Sequence, residues 1–297
     1  MRIFNELIKK IGDDLGIKVS FISDNWVTIL EKNGETHCIQ GYKFDLNNHG
    51  IGNIIDDKGL FFDLLKHKNI PIIEHFIIFK DYNKEEVLNY FKKNNNILVI
   101  KGNIGTCGEQ VFKVSDETNL FKTIDNLFLS QFSISLCPFY DIKNEYRVIL
   151  LNKKPRIVYG KIRPSIIGDG IKSIRELAIE FNDYYRDKKI DNEDYVPLNG
   201  EEILLNFKFN LSMGSKMFVN IDLSLSKELE GLAFKAIEGL DVNFCSVDII
   251  QTVDNELLIM EANSGIMMDN YIRFMGNEGY NVAYNLYKDA VKLMFKM

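Results

Sequence analysis

The chain has little from which to build a disulfide framework. Its four cysteines, Cys38, Cys107, Cys137 and Cys245, stand singly with no Cys-x-x-Cys pair, and its four histidines do not cluster near them. Free thiols in a reducing cytoplasm are expected. Only five prolines interrupt 297 residues and no internal repeat is visible, so long flexible linkers and repeat arrays are not expected. No uncharged apolar run approaches the roughly 20 residues needed to span a bilayer. ILVIK and DIIQTVDNELLIM are the length of buried strands, and the opening MRIFNELIKKIGDDLG is broken by charge every few positions, unlike a signal peptide. A basic excess is also missing. The net charge of -6 and pI near 5.4 argue against a surface built to neutralise phosphate backbones. Export, membrane insertion and generic nucleic-acid binding are therefore not expected.

What is present is ordinary globular material. With 46% hydrophobic and 26% charged residues the chain can bury a full core, as one large domain or two to three small lobes. After a weakly patterned N-terminal part, helices are expected over Gly59 to Lys68 and over Lys84 to Lys93, where Val87, Leu88 and Phe91 share a side. ILVIK is then a strand, followed by a glycine-bearing loop, strand VFKV, and a helix carrying Leu120, Phe121, Ile124, Leu127 and Phe128. EYRVILL and PRIVYGKI form an antiparallel hairpin. Ser173 and Glu176 make a capping-box signal for the next helix, residues 183 to 200 are loop, Ser226 opens a helix ended by Gly239, and a last helix runs from about Tyr280 to Phe295. Hairpins between helices point to an α+β fold.

Three clusters carry chemistry. FCSVDIIQ and ELLIMEAN flank a short connection. With Asp254 and Asn255 as its central residues, Asp248 lies directly opposite Glu261, their side chains about 5 Å apart on one face. Like charges so placed destabilise a sheet unless something positive sits between them. Asn263 points to the same face and adds a neutral oxygen. All-oxygen donors suit magnesium rather than zinc, with manganese as an alternative; a solvent-facing acidic pair is the other reading the local pattern leaves open. Lys101 ends the second cluster's strand and leads into GNIGTCGEQVFKV, where Gly102, Gly105 and Gly108 let the backbone approach an anion. The spacing is neither a P-loop nor a dinucleotide fingerprint, and an exposed glycine-rich turn is the alternative. On the third, a register centred near Lys154 sets Arg147 opposite Lys161, with Glu145 and Arg163 on the same face. That is either a charged solvent face or fixed positive charge for phosphoryl transfer.

In this order the segments resemble the ATP-grasp superfamily, most of all the ligase core of cyanophycin synthetase and glutathione-synthetase-like peptide ligases, over about residues 40 to 290. The carrying segments are IIDDKGLFFDLLKHKNIPII, VIKGNIGTCGEQVFKV, LSQFSISLCPFYDIKNEYRVILLNKK, GKIRPSIIGDGIKSIRELA, FNLSMGSK and SVDIIQTVDNELLIMEANSG. The resemblance implies two α+β lobes gripping ATP: a short N-terminal segment (1–55), a small lobe with a glycine-loop lid (56–135) and a large lobe with the magnesium site (136–297). It implies ATP and magnesium binding, with Lys58, Lys101, Gly105 and Gly108 on the nucleotide, Gln131, Phe132 and Ser133 along an adenine hinge, and Glu145 at the ribose. Arg163, Arg147 and Lys161 would stabilise the transferring phosphate, Asn210 and Ser212 would meet substrate, and Asp248, Glu261 and Asn263 would hold the metal. The implied activity is an ADP-forming carboxylate-amine ligase working through an acyl phosphate on amino acids or a peptide, with association into homo-oligomers common among relatives. A small-molecule kinase on the same fold and a non-catalytic nucleotide-binding protein are the alternatives. Two departures stand out: Ser-Gly-Ile-Met-Met follows Asn263 where many relatives have proline, and Ser246 stands where some have arginine.

Overall fold

The computed structural model describes residues 2–105 and 110–297, and its contacts divide into two units, residues 1–158 with 222–297 and residues 159–221. The larger unit starts with α1 (Ile3–Leu15), whose Phe4, Leu7, Ile8 and Ile11 recur at helical spacing and are all fully buried. Gly16, at φ 62°, ends it in the left-handed conformation. A meander follows, β1 (Lys18–Ile22), β2 (Val27–Lys32), β3 (Glu35–Gln40) and β4 (Lys43–Phe44), paired in sequence order. This sheet leaves only a weak pattern in the sequence, because its strands are short and only Leu30, Ile39 and Phe44 turn fully inward as aliphatic or aromatic residues.

Next come α2 (His49–Asp56) and α3 (Lys58–His67), the latter capped by Asp57, whose carboxylate accepts from Leu60 N at 2.9 Å. A four-stranded antiparallel sheet is assembled from β5 (Phe76–Ile78), β6 (Leu98–Gly102), β7 (Val111–Val114) and β8 (Ile134–Pro138) in the order β5-β8-β6-β7. Helices α4 (Lys84–Lys93) and α5 (Glu117–Leu127) cover it, with Val87, Phe91, Leu120, Ile124 and Leu127 packed on Leu98, Ile100, Ile134 and Leu136. Of the expected apolar positions Val87, Phe91, Leu120, Ile124, Leu127 and Phe128 are buried, and Leu88 and Phe121 are half-buried against them.

The chain then enters β9 (Ile142–Leu151) and turns through Asn152 and Lys153, both at positive φ, into β10 (Lys154–Ile162). The turn therefore sits at Asn152 and Lys153, earlier than a centre at Lys154. Within the smaller unit the end of β10 pairs with β13 (Lys216–Phe218), and β11 (Ser165–Ile167) pairs with β12 (Glu202–Leu204). Here α6 (Ile174–Phe181) carries the full capping box, with Glu176 N donating to Ser173 Oγ and Ser173 N to Glu176 Oε2. Ile166, Ile174, Ala178, Tyr185 and Ile190 form this unit's core.

Back in the larger unit, α7 (Leu223–Ile237) is capped by Asp222 and so begins three residues before Ser226. β14 (Phe244–Thr252) is buried at every residue and pairs antiparallel with β9 on one side and β15 (Leu257–Asn263) on the other. Being enclosed on both faces, it is largely apolar, interrupted by Ser246, Asp248, Gln251 and Thr252. The last helix, α8 (Asp269–Met294), starts eleven residues before the expected Tyr280, because Gly276 interrupts it at φ 59° and ψ -134° and splits its apolar pattern.

Phe4 joins the meander to α8, with T-shaped contacts to Tyr42, Phe44 and Tyr287 at centroid distances of 5.0, 6.1 and 5.1 Å. Phe4→Ala is expected to cost about 3–5 kcal/mol, the usual range for emptying a buried aromatic site. Denaturant unfolding measures this, and a loss below about 1 kcal/mol would mean the meander contributes little to the stability of the unit.

Candidate active site

The site is built on β14 and its two neighbours. Asp248 pairs with Glu261 on β15 and with Arg147 on β9. Side chains directly opposite on neighbouring strands share a face, so an arginine, an aspartate and a glutamate stand in a row across three strands. Asn263, two residues beyond Glu261, joins them, as does Glu145, two before Arg147 and opposite Ile250.

The Asp248–Glu261 pairing comes about through a bulge. Near the turn Gln251 pairs with Leu257 and Ile250 with Leu258, one residue off the count made from Asp254 and Asn255. Between Asp248 and Ile249 the register shifts, leaving Met260 unopposed and restoring the count. Without that extra residue Glu261 would turn to the other face.

Electrostatics explain how the row is tolerated. Asp248 is 1% exposed and receives Arg147 in a two-pronged contact, Nε to Oδ1 at 2.6 Å and Nη2 to Oδ2. The Lys58 ammonium lies 3.6 Å from Glu261 Oε2. Burial pushes the Glu261 carboxyl up, and so does Asp248, yet Lys58, Lys101 and Arg147 outweigh both and hold it below its usual range. Glu261 Oε1 also accepts from Asn263 Nδ2 at 3.4 Å.

Lys58 is the first residue of α3 and is itself buried, its Nζ donating to Asn103 O at 3.3 Å and Gly105 O at 3.1 Å. Lys101, on β6, is only 7% exposed, and among the described residues its ammonium makes no hydrogen bond or ion pair. A buried ammonium left so is costly unless a ligand answers it. Gly102, next in line, is held against the Gln131 side chain, which a Cβ would meet at 2.8 Å. Gly108 lies outside the described residues.

Gln131, Phe132 and Ser133 precede β8 instead of lying between sheets. Gln131 Nε2 donates to Gln110 Oε1 at 2.5 Å, Ser133 O accepts from Asn103 N at 3.1 Å, and Phe132 is exposed, edge-on to Phe79. The chain passes from the four-stranded sheet to β9 at Phe139, Tyr140 and Asp141. In the smaller unit, Lys161 pairs with Met217, the Arg163 guanidinium lies 5.6 Å from the centre of the Phe209 ring, Ser212 is in the short 3-10 turn at Leu211–Met213 and Asn210 immediately precedes it.

Oxygen donors on one face fit a hard divalent cation. Asp248 and Glu261 offer carboxylates and Asn263 an amide, while the Ser246 hydroxyl, opposite Asn263 and 1% exposed, has no hydrogen-bond partner among the described residues. Among those residues no group of three or more His, Cys, Asp and Glu is set to hold a metal. The donor set thus depends on the asparagine, and transition-metal sites built from His and Cys are not present there.

No protein-family model matches the chain. A glutathione biosynthesis bifunctional protein from Listeria welshimeri is 22% identical over 283 residues, which cover 86% of this chain and 36% of that protein. The chain thus spans about a third of the length of that curated relative. The structure of a bifunctional glutathione synthetase from Pasteurella multocida superposes at a TM-score of 0.58 and 17% identity over 97% of this chain and 44% of that one. A D-alanine–D-alanine ligase from Bacillus anthracis superposes at 0.55 and 14% identity, over 84% and 72%. The chain has the ATP-grasp fold. In it β9, the β14–β15 hairpin, β6 and the start of α3 bring together Lys58, Lys101, Arg147, Asp248, Glu261 and Asn263.

Sequence reasoning missed the support beneath that row. Ile72 bridges Ile259 in parallel, Ile73 N donates to Ile259 O at 2.9 Å, and the buried His75 reaches the bulge, Nε2 facing Met260 O at 3.5 Å. His75 Nδ1 lies 2.7 Å from Ser135 Oγ and 3.2 Å from Cys137 Sγ. Burial, then Lys101 and Lys58, hold the imidazole well below 6.5, so it is neutral when folded. The unfolded chain binds a proton near pH 6.5 that the native state does not, so stability falls as pH drops below that value. Wild type should lose up to about 1.4 kcal/mol per pH unit there from this one group, and His75→Gln should lack that contribution. Denaturant unfolding at several pH values decides it; equal slopes for the two proteins would rule it out.

Proposed function

We propose that the protein is an ATP- and magnesium-dependent carboxylate-amine ligase that forms an amide or peptide bond and releases ADP and phosphate. The observation that carries this reading is Lys101, a buried ammonium without a hydrogen bond or ion pair among the described residues, placed with Lys58 beside a row of acidic oxygens. Two buried cations next to two carboxylates and an amide suit a polyanion that arrives with a divalent cation. A triphosphate bound with magnesium is such a ligand, and the fold supports the choice.

On this reading a substrate carboxylate oxygen attacks the γ-phosphorus, the bond to the β-phosphate bridging oxygen breaks, and ADP leaves. An amine then attacks the acyl carbon of the acyl phosphate, phosphate departs, and the amine proton is released. Lys58 and Lys101 hold phosphate oxygens and neutralise charge as it moves. Arg147 keeps Asp248 ionised and oriented. Asp248, Glu261 and Asn263 would hold magnesium, which when bound supplies charge neutralisation on the transferring phosphate. Roles for Arg163, Lys161, Asn210 and Ser212 in phosphate and substrate binding, Glu145 at the ribose, and lobes at 56–135 and 136–297 after the segment 1–55, belong to the same proposal. Amino acids or small peptides are the substrates we favour, because the relatives named glutathione synthetase and D-alanine–D-alanine ligase join such molecules.

The test is phosphate release from ATP and magnesium in the presence of pooled amino acids and small peptides, with mass spectrometry of the products. Phosphate and a new amide are expected together, and Glu261→Gln should reduce both on the order of 100-fold or more, the usual scale for losing an electrostatic stabiliser. ADP formation that does not depend on any carboxylate, or a phosphorylated product with no free phosphate, would overturn the reading; the latter is what a kinase on this fold would give.

A further inference from the structure

Between α2 and α3 the consecutive residues Asp56, Asp57 and Lys58 send their side chains to three different places. Asp56 accepts from Ser264 N at 2.7 Å and Ser264 Oγ at 2.6 Å, next to Asn263. Asp57 accepts from Leu60 N with one oxygen and from Asn103 Nδ2, at 2.8 Å, with the other. Lys58 reaches Asn103 O, Gly105 O and Glu261.

Asn103 is the meeting point. It is 4% exposed and two residues beyond Lys101, and all its polar atoms are engaged. Its Oδ1 accepts from Gly59 N at 3.0 Å, its Nδ2 donates to Asp57, its N donates to Ser133 O, and its O accepts from Lys58 N at 3.4 Å and from Lys58 Nζ. An amide is needed there because one side chain has to accept from a helix N–H and donate to a carboxylate at once. The sequence shows no more than a helix-capping aspartate and an asparagine among glycines.

We propose that the Asp57–Asn103 pair is a positioning pair for nucleotide binding, fixing the Lys58 ammonium at the start of α3 and the Lys101 ammonium on β6 in one frame with Glu261. This rests on the ligase reading in taking a triphosphate as the ligand of the two lysines. The pair touches neither phosphate nor substrate; it acts through the lysines it holds. A rigid connection between α3 and β6 is what keeps two like charges close together before the anion arrives, since their repulsion would otherwise drive them apart.

The donor–acceptor pattern provides a test in the full chain. Asp57→Asn sets one amide NH2 against another, and Asn103→Asp sets two carboxylates face to face. The double variant Asp57→Asn/Asn103→Asp reverses the direction of the bond between the two side chains and keeps both bonds to backbone N–H. Asn at 57 caps Leu60 N with its oxygen and donates to Asp at 103, whose other oxygen accepts from Gly59 N. We measure ATP dissociation constants by calorimetry with magnesium present, KM for ATP and kcat in the phosphate-release assay, and melting temperature. Each single variant is expected to weaken ATP binding and raise KM for ATP by about tenfold or more, with a smaller change in kcat, and the double variant to return to within about threefold of wild type, the signature of a coupled pair. If a single variant fails to fold, the double variant still decides, since it has to fold and bind ATP.

Single variants that bind ATP as wild type does, or a double variant as impaired as the worse single, would overturn the proposal. So would single variants whose kcat falls while KM for ATP stays put. Wild type that binds no ATP at all would overturn the ligase reading itself, a result separable from normal wild-type turnover with indifferent variants.

Discussion

Two carboxylates on adjoining strands of an enclosed sheet are tolerable only if cations meet them. At Asp248 and Glu261 the cations come from three directions: Arg147 from the strand on the other side, Lys58 from a helix start and Lys101 from a separate sheet. Much of the larger unit can be understood as arranging those arrivals. β14 has to be central so that both neighbours can present side chains opposite Asp248. α3 has to begin at Lys58, which Asp57 secures by capping it. β6 has to end beside α3, which Asn103 secures. The balance is deliberately local. Burial alone would push the Glu261 carboxyl up, and the surrounding positive charge is what brings it below its usual range.

Such a balance is also what makes the row chemically useful. Charges already desolvated and fixed by the fold do not need to reorganise when a polyanion binds, so their interaction with it is stronger than the same groups would offer in water. Arg147 is bound to Asp248 on two prongs and Lys58 to backbone carbonyls, which restricts both far more than surface side chains of their length would be. Lys101 is the exception, buried and without such partners among the described residues, and it is the position from which an incoming anion would gain most.

How far the sequence disclosed this arrangement differs from residue to residue. Asp248, Glu261 and Asn263 were legible because period-two alternation and a short turn fix which side chains share a face. Yet the pairing was reached by a count that the turn does not obey. The register beside the turn is one residue off, and the bulge at Met260 corrects it. A bulge leaves no reliable mark in a run such as LLIMEAN, because it depends on what packs beneath, here the Pro71–His75 segment hydrogen-bonded to β15. The helix after Asp57 was legible as a local pattern, whereas the bond from Asp57 to Asn103 spans 46 residues and has no local signature. The position of the β9–β10 turn was misjudged for a related reason: Asn152 and Lys153 both adopt positive φ, a conformation that lysine takes up only when the hairpin demands it.

The N-terminal meander, unread from the sequence, has a place in the same scheme. After Asn263 this chain continues as Ser-Gly-Ile, so the backbone leaving the row is not stiffened by a proline ring. The meander restrains it from outside. Lys43 bridges Gly265 in antiparallel fashion, Ile266 N donates to Tyr42 O at 3.0 Å, and Lys43 Nζ binds the Asp56 carboxylate that holds Ser264. Phe4, Phe44 and Tyr287 then tie the meander itself to α8. A free Ser-Gly pair at this point would let Asn263 wander, and the entropy of ordering it would be charged against every binding event. Hydrogen bonds from a packed sheet remove that freedom during folding instead. A small N-terminal sheet therefore does for the end of β15 what Asp57 and Asn103 do for the two lysines: it fixes a polar group before any ligand is present.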